Sequence, residues 1–192
     1  PEKVNRIIST LAAAGYEAYA VGGCVRDLAM GKVPHDWDIT TSARPEEMLS
    51  IAALRGWQAI DGGGRRFGTV IVVIGGENYE VTTFRSESYG SDAHRPSEVS
   101  FAGTLKEDLM RRDFTVNAMA MDRSGRLYDA FDGLSDIARK RLRTVGDAGE
   151  RFSEDALRLF RACRFVAQLD FMADSSLVEG MESAFPRVSG LS

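Results

Sequence analysis

The residue types best suited to chemistry lie in three short segments of the 192-residue sequence. The first combines Gly22-Gly23 and Arg26 with Asp36 and Asp38. Two glycines between a strand and a helix let backbone N–H groups approach a phosphate, and a helix N-terminus and a guanidinium add positive charge. Residues 36 and 38 of one strand point to the same face. Such a carboxylate pair is typical of a Mg²⁺ site that also binds substrate phosphates, and Glu80 is a third candidate carboxylate.

The other two segments are rich in arginine. Arg112 and Asp113 begin a run that continues to Asn117, and an arginine beside an aspartate can hold a phosphate and a sugar hydroxyl together. The third segment is a predicted helix over residues 154–168, with four charged side chains along one side: Asp155, Arg158, Arg161 and Arg164. Because three arginines without interleaved acids repel one another, this side favours an anionic ligand.

Each segment also has an ordinary structural explanation. A Gly-Gly pair forms turns, and an Asp-x-Asp pair is common at surfaces or in calcium loops, although the EF-hand spacing is missing. The Arg-Asp pair could be a surface ion pair at a helix end. On the third segment, Ser153, Glu154 and Asp155 suit a helix cap and an acidic first turn, and the arginines suit a solvated face. The three segments in this order are far more specific than any one of them.

The composition excludes several classes of protein. The sequence is 44% hydrophobic and 27% charged, which is typical of folded globular proteins. It has no apolar run near the ~18 residues that span a bilayer and no secretion-signal pattern at its start. The two cysteines, Cys24 and Cys163, make no disulfide framework, which favours a reduced, cytoplasmic protein.

The charge and the chain ends add two expectations. The net charge of −4 argues weakly against a nucleic-acid binder, but local arginine clusters bind phosphates whatever the overall sign. The chain begins at Pro1 and ends in a loop-like stretch, so we expect it to be a piece of a longer protein.

Periodicity predicts an α+β fold. The predicted helices cover residues 2–14, 24–30, a segment after Pro45, 105–112, 154–168 and 176–185. The predicted strands cover residues 17–21, 37–40, 69–74, 79–84, 118–121 and 127–131. Residues 86–98 are predicted to be a loop. The buried face predicted for the 154–168 helix comprises Ala156, Leu159, Phe160, Cys163, Val166 and Ala167. We therefore expect a small mixed sheet with flanking helices in residues 1–145 and the start of an all-helical domain in residues 146–192.

Together the segments resemble the class II tRNA nucleotidyltransferases, which include CCA-adding, A-adding and CC-adding enzymes and bacterial poly(A) polymerases. The resemblance covers nearly the whole chain. It rests on VGGCVRDLAMGKVPHDWDITTSARPEEM (21–48), YEVTTFR (79–85), RRDFTVNAMAMD (111–122) and RTVGDAGERFSEDALRLFRACRF (143–165). It implies a polymerase-β-like nucleotidyltransferase head followed by the start of a helical neck.

The resemblance also implies roles for individual residues. Asp36 and Asp38 match the metal-binding aspartates, and Glu80 matches the third catalytic carboxylate. Asp155 and Arg158 match the pair that selects the incoming base. The remaining matches are expected nucleotide contacts: Gly22, Gly23, Arg26, Arg112, Asp113, Asn117, Arg161 and Arg164.

The implied reaction is the addition of CMP or AMP, from CTP or ATP, to the 3′ end of tRNA with release of pyrophosphate. Two Mg²⁺ ions at Asp36 and Asp38 are the implied cofactors. Aspartate only accepts hydrogen bonds and arginine only donates them. Asp155 and Arg158 therefore suit cytosine and adenine, which present an amino donor beside a ring-nitrogen acceptor, and not uracil or guanine.

Several alternatives remain open. The motifs do not separate a CCA-adding enzyme from an A-adding or CC-adding specialist or a poly(A) polymerase. Residues 86–98, with Tyr89, His94 and Arg95, match a flexible loop that CC-adding members tend to lack, which favours an enzyme able to add A. A non-catalytic nucleotide-binding or RNA-binding module is the alternative of another class. The oligomeric state is not predicted.

Overall fold

The computed structural model describes residues 1–61, 67–90 and 96–190. These ranges contain eight α-helices and eleven strands. The helices are α1 (Glu2–Ala13), α2 (Gly23–Ala29), α3 (Pro45–Leu54), α4 (Leu105–Met110), α5 (Gly133–Ala138), α6 (Ala148–Glu154), α7 (Leu157–Leu169) and α8 (Ser175–Ala184). Two 3₁₀ helices cover Thr115–Asn117 and Phe185–Gly190. No helix in these ranges is long and apolar enough to cross a membrane.

A mixed seven-stranded sheet forms the centre of the larger, N-terminal part. Its strands are β1 (Ala18–Val21), β2 (Asp38–Thr41), β3 (Gln58–Ile60), β4 (Thr69–Ile74), β5 (Glu77–Thr83), β8 (Met119–Met121) and β9 (Leu127–Asp129). They lie in the order β3-β4-β5-β2-β1-β8-β9. Only β2 and β5 pair in parallel; the other neighbours are antiparallel. The strands predicted over residues 69–74, 79–84, 118–121 and 127–131 are confirmed, and they form the hairpins β4–β5 and β8–β9.

Helices α1, α2 and α3 contribute side chains to the core around this sheet. The apolar pattern of helix α1 predicts a buried face of Val4, Ile7, Ile8, Leu11 and Ala12, at i, i+3, i+4, i+7 and i+8. The first four are buried, whereas Ala12 is exposed. The four buried residues pack in one cluster with Val25, Ile39, Val70 and Val81 from α2 and the sheet. This cluster fixes the sheet edge where β1 and β2 meet the Gly22 turn.

The prediction of a loop over residues 86–98 is wrong for the residues of this range that the structure describes. Residues 85–101 include the antiparallel strands β6 (Arg85–Tyr89) and β7 (Pro96–Phe101). Arg85, Glu87 and Tyr89 are partly buried, whereas Ser86 and Ser88 are exposed. The strand thus alternates as a half-buried strand does, but with polar residues on both faces, so no hydrophobic alternation signals it. His94 and Arg95 lie outside the described residues.

The helix predicted over residues 154–168 is confirmed as α7, which begins three residues later, at Leu157. A separate helix, α6, ends at Glu154, and Asp155 is extended, with φ −144° and ψ 104°. The Asp155 carboxylate accepts the Leu157 N–H at 2.9 Å and so satisfies one backbone donor at the start of α7. The predicted cap residue, Ser153, lies inside α6.

The buried face predicted for this helix is also partly wrong. Phe160, Cys163 and Ala167 are exposed, and the buried residues are Ala156, Arg158, Leu159, Ala162, Phe165 and Leu169. The buried face is rotated because Arg158 and Phe165 turn toward the rest of the protein, where Arg158 finds hydrogen-bond acceptors. Helices α5 and α6 and strand β3 were not predicted.

The C-terminal helices join the sheet part through backbone pairing. Strand β10 (Arg141–Leu142) pairs in parallel with β11 (Met172–Ala173). Phe114 forms a β-bridge with Thr144, and the Val145 N–H donates to the Asp113 carbonyl. The segment that carries Arg112 and Asp113 is therefore fixed against the base of the C-terminal helices.

Candidate active site

Three acidic side chains lie along one edge of the central sheet. Asp38 is the first residue of β2 and pairs in register with Glu80 of β5 on one side and Val21 of β1 on the other. Asp36 precedes the strand, so the expectation that both aspartates belong to it is wrong for Asp36. The three acids nevertheless line one cleft of about 540 Å³.

The neighbouring charges at this edge influence Asp38. Desolvation by the surrounding protein raises the pKa of the Asp38 carboxyl. The Arg112 guanidinium opposes that rise, while Glu80 and Asp36 reinforce it. Within the described chain, none of the three acids forms an ion pair at contact distance. The edge is therefore a concentration of negative charge without a neighbouring cation in contact.

The donor set suits a divalent cation that also binds a ligand. In the described ranges, no group of three or more His, Cys, Asp or Glu residues lies close enough to hold a metal by itself. Mg²⁺ is usually bound by one or two carboxylates with waters and substrate phosphates. Asp36 and Asp38, with oxygen atoms facing an open cleft, fit that requirement.

The glycine turn brings Arg112 next to Asp38. Gly22 has φ 82° and ψ −132°, a conformation that essentially only glycine adopts. A Cβ at this position would lie 3.1 Å from Nη1 of Arg112 and 3.9 Å from Oδ2 of Asp38. The buried Nε of Arg112 has no hydrogen-bond partner among the described atoms. Because Gly22 has no side chain, the turn leaves space next to Asp38 and next to Arg112, whose Nε–H has no acceptor among the described atoms.

Arg26 and Asn117, both expected nucleotide contacts, bind each other. Nη1 of Arg26 donates to Oδ1 of Asn117 at 2.8 Å, and Nη2 pairs with Asp27 at 2.7 Å. A Cβ on Gly23 would lie 3.6 Å from Nη2 of Arg26. The guanidinium also lies 5.4 Å from the Phe165 ring centroid. Arg26 is therefore held in place by groups from three parts of the chain.

Asp113 and Phe165 contact the exposed arginines of α7, Arg161 and Arg164. Oδ2 of Asp113 accepts from Nε and Nη2 of Arg161, both at 2.7 Å. Arg161 and Arg164 lie 5.4 and 5.0 Å from the centroid of the Phe165 ring that also contacts Arg26. Three guanidinium groups therefore lie within cation–π distance of one aromatic ring, which concentrates positive charge around Phe165.

Arg158 is buried and almost fully hydrogen-bonded. Nη1 donates to Glu154 at 2.7 Å and to the Arg151 carbonyl at 3.1 Å. Nη2 donates to the Tyr89 hydroxyl at 3.1 Å and to the Arg111 carbonyl at 3.2 Å. Burial alone would lower the pKa of Arg158, but Tyr89 and Glu154 outweigh it and raise that pKa. Arg158 is therefore a buried cation held in place by its hydrogen bonds. The interpretation of this arginine as part of a solvated face is wrong.

The structure connects most of the predicted residues through the 111–113 segment. Arg112 reaches the acidic edge, Asp113 holds Arg161, and the Arg111 carbonyl accepts from Arg158. Sequence reasoning missed Asp108, Glu87 and the hydroxyl of Tyr89 as members of this network. Asp108 precedes Arg111 and Arg112 by three and four residues on a predicted helix, and that spacing is the signal that could have found it.

Comparison with known families matches residues 18–143 to the poly A polymerase head domain. The chain belongs to the poly A polymerase head domain family. The matched range contains the acidic edge, the Gly22 turn and the 111–117 segment, whereas the four α7-region residues Asp155, Arg158, Arg161 and Arg164 lie beyond it.

Relatives of this head-domain chain extend the match to its full length. A CCA-adding enzyme of Streptococcus pyogenes serotype M2 is 49% identical over 191 residues, which is 100% of this chain and 46% of the relative. The chain thus spans about half the length of the curated relatives that it matches.

Solved structures match the same region. A Bacillus stearothermophilus CCA-adding enzyme in complex with CTP has a TM-score of 0.89 and 43% identity, over 100% of this chain and 45% of that one. A tRNA nucleotidyltransferase complexed with a primer tRNA and an incoming ATP analog has a TM-score of 0.72 and 32% identity, over 94% and 50% of the two chains. The predicted α+β fold with a polymerase-like head is confirmed by these matches.

Proposed function

We propose that this chain is the nucleotide-transferring part of a Mg²⁺-dependent, template-independent RNA nucleotidyltransferase. It adds CMP, AMP or both, from CTP and ATP, to the 3′ end of tRNA and releases pyrophosphate. Residues 1–145 form the catalytic head in this proposal, and residues 146–192 begin the neck that selects the base.

The proposal depends mainly on one observation: residues 111 and 112 connect the acidic edge, which suits a metal ion, to the buried Arg158. Arg112 lies beside Asp38 and the Gly22 turn, while the neighbouring Arg111 carbonyl accepts from Arg158. A nucleoside triphosphate has the same order of parts, with metal-bound phosphates at one end and a hydrogen-bonding base at the other. The names of the relatives, CCA-adding enzymes, agree with this use of the site.

Asp36 and Asp38 hold the metal ions in this proposal. Bound Mg²⁺ would neutralise developing charge on the phosphates and favour ionisation of the attacking 3′-hydroxyl. Glu80, in register with Asp38 across the sheet, adds negative charge that strengthens cation binding. No oxygen ligand other than these carboxylates is required from the protein, since phosphates and water complete the coordination.

The chain's own residues position the substrate. Arg112, with its unpartnered Nε, and Arg26 lie on two sides of the Gly22 turn and suit the triphosphate and the ribose. Arg161 and Arg164 add positive charge that is already organised before the nucleotide arrives. The protein thus holds the α-phosphate and the 3′-hydroxyl in a fixed geometry, which lowers the entropic part of the barrier.

Asp155 and Arg158 read the base. An aspartate acceptor and an arginine donor complement the amino group and ring nitrogen shared by cytosine and adenine. Uracil and guanine present a carbonyl and an N–H at those positions and would leave buried groups unpaired, at a cost of about 1–3 kcal/mol each. Selectivity therefore resides in α7 rather than in a nucleic-acid template.

The test uses the full-length protein and tRNA substrates that end at the discriminator base, at C or at CC. We expect labelled CMP or AMP to be incorporated with Mg²⁺ and not after chelation with EDTA. The variant Asp36→Ala/Asp38→Ala should lose incorporation by at least about 1,000-fold, since removal of key charge stabilisation has effects of this size. Glu77→Gln, which changes an acid of the same cleft that pairs with Lys3, is the matched control.

The outcomes separate the alternatives. Addition to all three tRNAs identifies a CCA-adding enzyme, addition only to the CC-ending tRNA identifies an A-adding enzyme, and arrest after two cytidines identifies a CC-adding enzyme. Long adenosine tails on unrelated RNA identify a poly(A) polymerase. Binding of nucleotide without any transfer would overturn the proposal in favour of a non-catalytic module.

A further inference from the structure

A buried aspartate outside the proposed chemistry has an unusual number of partners. Asp108 of α4 is completely buried. Its carboxylate accepts hydrogen bonds from the side chains of Arg111, Arg112 and Thr40 and from the Arg85 backbone N–H. A buried carboxylate is stable only when it is paired and hydrogen-bonded, and here these donors meet that need.

The two carboxylate oxygens of Asp108 accept hydrogen bonds from different donors. Oδ1 accepts from Nε and Nη2 of Arg111, at 3.0 and 2.9 Å, and from the Arg85 N–H at 3.3 Å. Oδ2 accepts from the Thr40 hydroxyl at 3.1 Å and from Nη2 of Arg112 at 3.3 Å. Oδ1 therefore anchors the α4 end, and Oδ2 alone faces the proposed nucleotide contact.

The partners of Asp108 lead to both ends of the proposed site. Thr40 lies two residues after Asp38 on β2, so its side chain is on the same face of the strand. Arg112 is the arginine beside Asp38 and Gly22. Arg111, fixed by Asp108, provides the backbone carbonyl that accepts from Arg158 at 3.2 Å.

We propose that Asp108 is a positioning residue that holds Arg112 toward the triphosphate and ties it to the strand that carries Asp38. This inference rests on the proposed function and adds to it a residue that touches neither substrate nor metal. Asp108 acts through Oδ2, which is the only carboxylate oxygen in the described chain that pairs with Arg112.

The substitution Asp108→Asn tests this role because the geometry dictates how the amide must turn. An NH₂ group in the Oδ1 position would face three donors, whereas in the Oδ2 position it faces only two. There it can donate to the Thr40 hydroxyl, whose single proton then turns from residue 108 to the Thr82 carbonyl, 3.3 Å away. It cannot accept from Arg112. The Asp108→Asn variant would therefore keep Arg111 and Thr40 in place and release Arg112 alone.

The decisive measurement is a double-mutant cycle in the full-length protein. We expect Asp108→Asn to lower kcat/KM for nucleotide incorporation by about 10- to 100-fold, as for loss of one hydrogen bond to a charged group. Arg112→Met should lower it more, because the nucleotide contact itself is lost. The double variant should be only as slow as Arg112→Met, because Asp108 then has nothing left to position.

The arms of the cycle also distinguish a structural effect from a positioning effect. If the double variant is about 10- to 100-fold slower than Arg112→Met, the effects multiply and the proposal is overturned. This comparison needs only the double variant and Arg112→Met, so it does not depend on how well Asp108→Asn folds by itself.

Asp136 provides a matched control within the same chain. It is also completely buried, accepts from Arg141 through Nε and Nη2 at one oxygen, and accepts from Thr115 and Arg143 at the other. Its partners do not include Arg112. Asp136→Asn should destabilise the protein about as much as Asp108→Asn does. The kcat/KM of the folded Asp136→Asn enzyme at 25 °C should stay within about threefold of wild type. In the double variant with Arg112→Met, the effects of the two substitutions on kcat/KM should simply multiply. A loss as large as that of Asp108→Asn would contradict the proposal. A wild-type protein without transfer activity would instead refute the proposed function.

Discussion

The acidic edge (Asp36, Asp38 and Glu80) and the arginine face (Arg158 and Arg161) of the proposed site differ in the partners that they have in the free protein. The three acids line an open cleft without an ion pair among the described residues, and desolvation, Glu80 and Asp36 raise the pKa of Asp38. Arg158 and Arg161, in contrast, are already paired with protein acids. The edge is incomplete without added cations, whereas the face is complete before any ligand binds. We therefore expect the edge to reduce the stability of the free protein and the face to contribute to it.

The largest effect on stability should come from Arg158. Arg158→Met removes four hydrogen bonds and leaves Glu154 and two buried carbonyls short of donors. We expect the free energy of unfolding, measured by urea denaturation, to fall by about 3 kcal/mol. Arg164→Met, an exposed arginine of the same helix, is the control and should change it by less than about 1 kcal/mol. Equal effects would mean that burial does not distinguish these arginines.

A smaller loss is expected at Glu87, which pairs with Arg85 and Arg111 beneath the arginine face. Burial alone would raise the pKa of Glu87, but Arg111, the Tyr89 hydroxyl and Arg85 outweigh burial and hold the pKa below its ordinary value of 4.5. A carboxyl with a lowered pKa stabilises the protein above pH 4.5 and loses that contribution as the pH falls through the lowered pKa.

Glu87→Gln should therefore cost about 2 kcal/mol at pH 7, in line with hydrogen bonds to charged groups. The difference from wild type should shrink as the pH is lowered below the ordinary value of 4.5 and through the lowered pKa of Glu87. Thermal denaturation across this range measures it. A difference that stays constant with pH would exclude an ionised Glu87 as its source.

Tyr89 tests whether strand β6 helps to fix Arg158, the arginine proposed to read the base. Tyr89→Phe removes one hydroxyl that accepts from Arg158 and donates to Glu87 at 2.6 Å. We expect a stability loss of about 1 kcal/mol and a roughly three- to tenfold weaker preference for CTP and ATP over UTP and GTP. Tyr19→Phe removes a comparable bond to Glu17 away from Arg158 and should leave that preference unchanged. If both variants behave alike, Tyr89 has no special role.

The smallest effect should have the opposite sign. Because burial and neighbouring acids raise the pKa of Asp38, its charge is unfavourable in the metal-free fold. Asp38→Asn should stabilise the metal-free protein by about 0.5 kcal/mol or less, since solvent screens an open cleft, yet should abolish nucleotide incorporation. Calorimetry with and without Mg²⁺ measures this effect. A clear loss of stability in Asp38→Asn without metal would break the contrast between the two regions.

Local sequence patterns predicted much of the fold. The buried stripe of α1, the apolar strand β4 and the alternating strand β5 have clear periodicity, and all three elements were predicted. Strand β6 was missed because its partly buried positions are Arg85, Glu87 and Tyr89, which give no hydrophobic alternation. The break at Asp155 was missed because no proline or glycine stands between α6 and α7.

The candidate site shows a similar division. The acids and arginines could be named from motifs, and their roles stay predictions. Their partners could not be named, because the bonds join residues far apart in sequence. Arg26 and Asn117 are 91 positions apart, Thr40 and Asp108 are 68, and Tyr89 and Arg158 are 69. Such pairs depend on how the sheet and helices assemble, which local periodicity does not encode.

The hydrogen bonds of Arg158 imply that, if this arginine reads the base as proposed, the reading is an exchange of hydrogen bonds. Its two terminal nitrogens already make four hydrogen bonds to protein acceptors, two of them from Nη2 to the Tyr89 hydroxyl and the Arg111 carbonyl. A base that binds Nη1 or Nη2 in the proposed function would replace one of these bonds with a bond of similar strength. The free-energy difference between bases would then come from mismatched replacements, so selectivity would be possible here without tight binding.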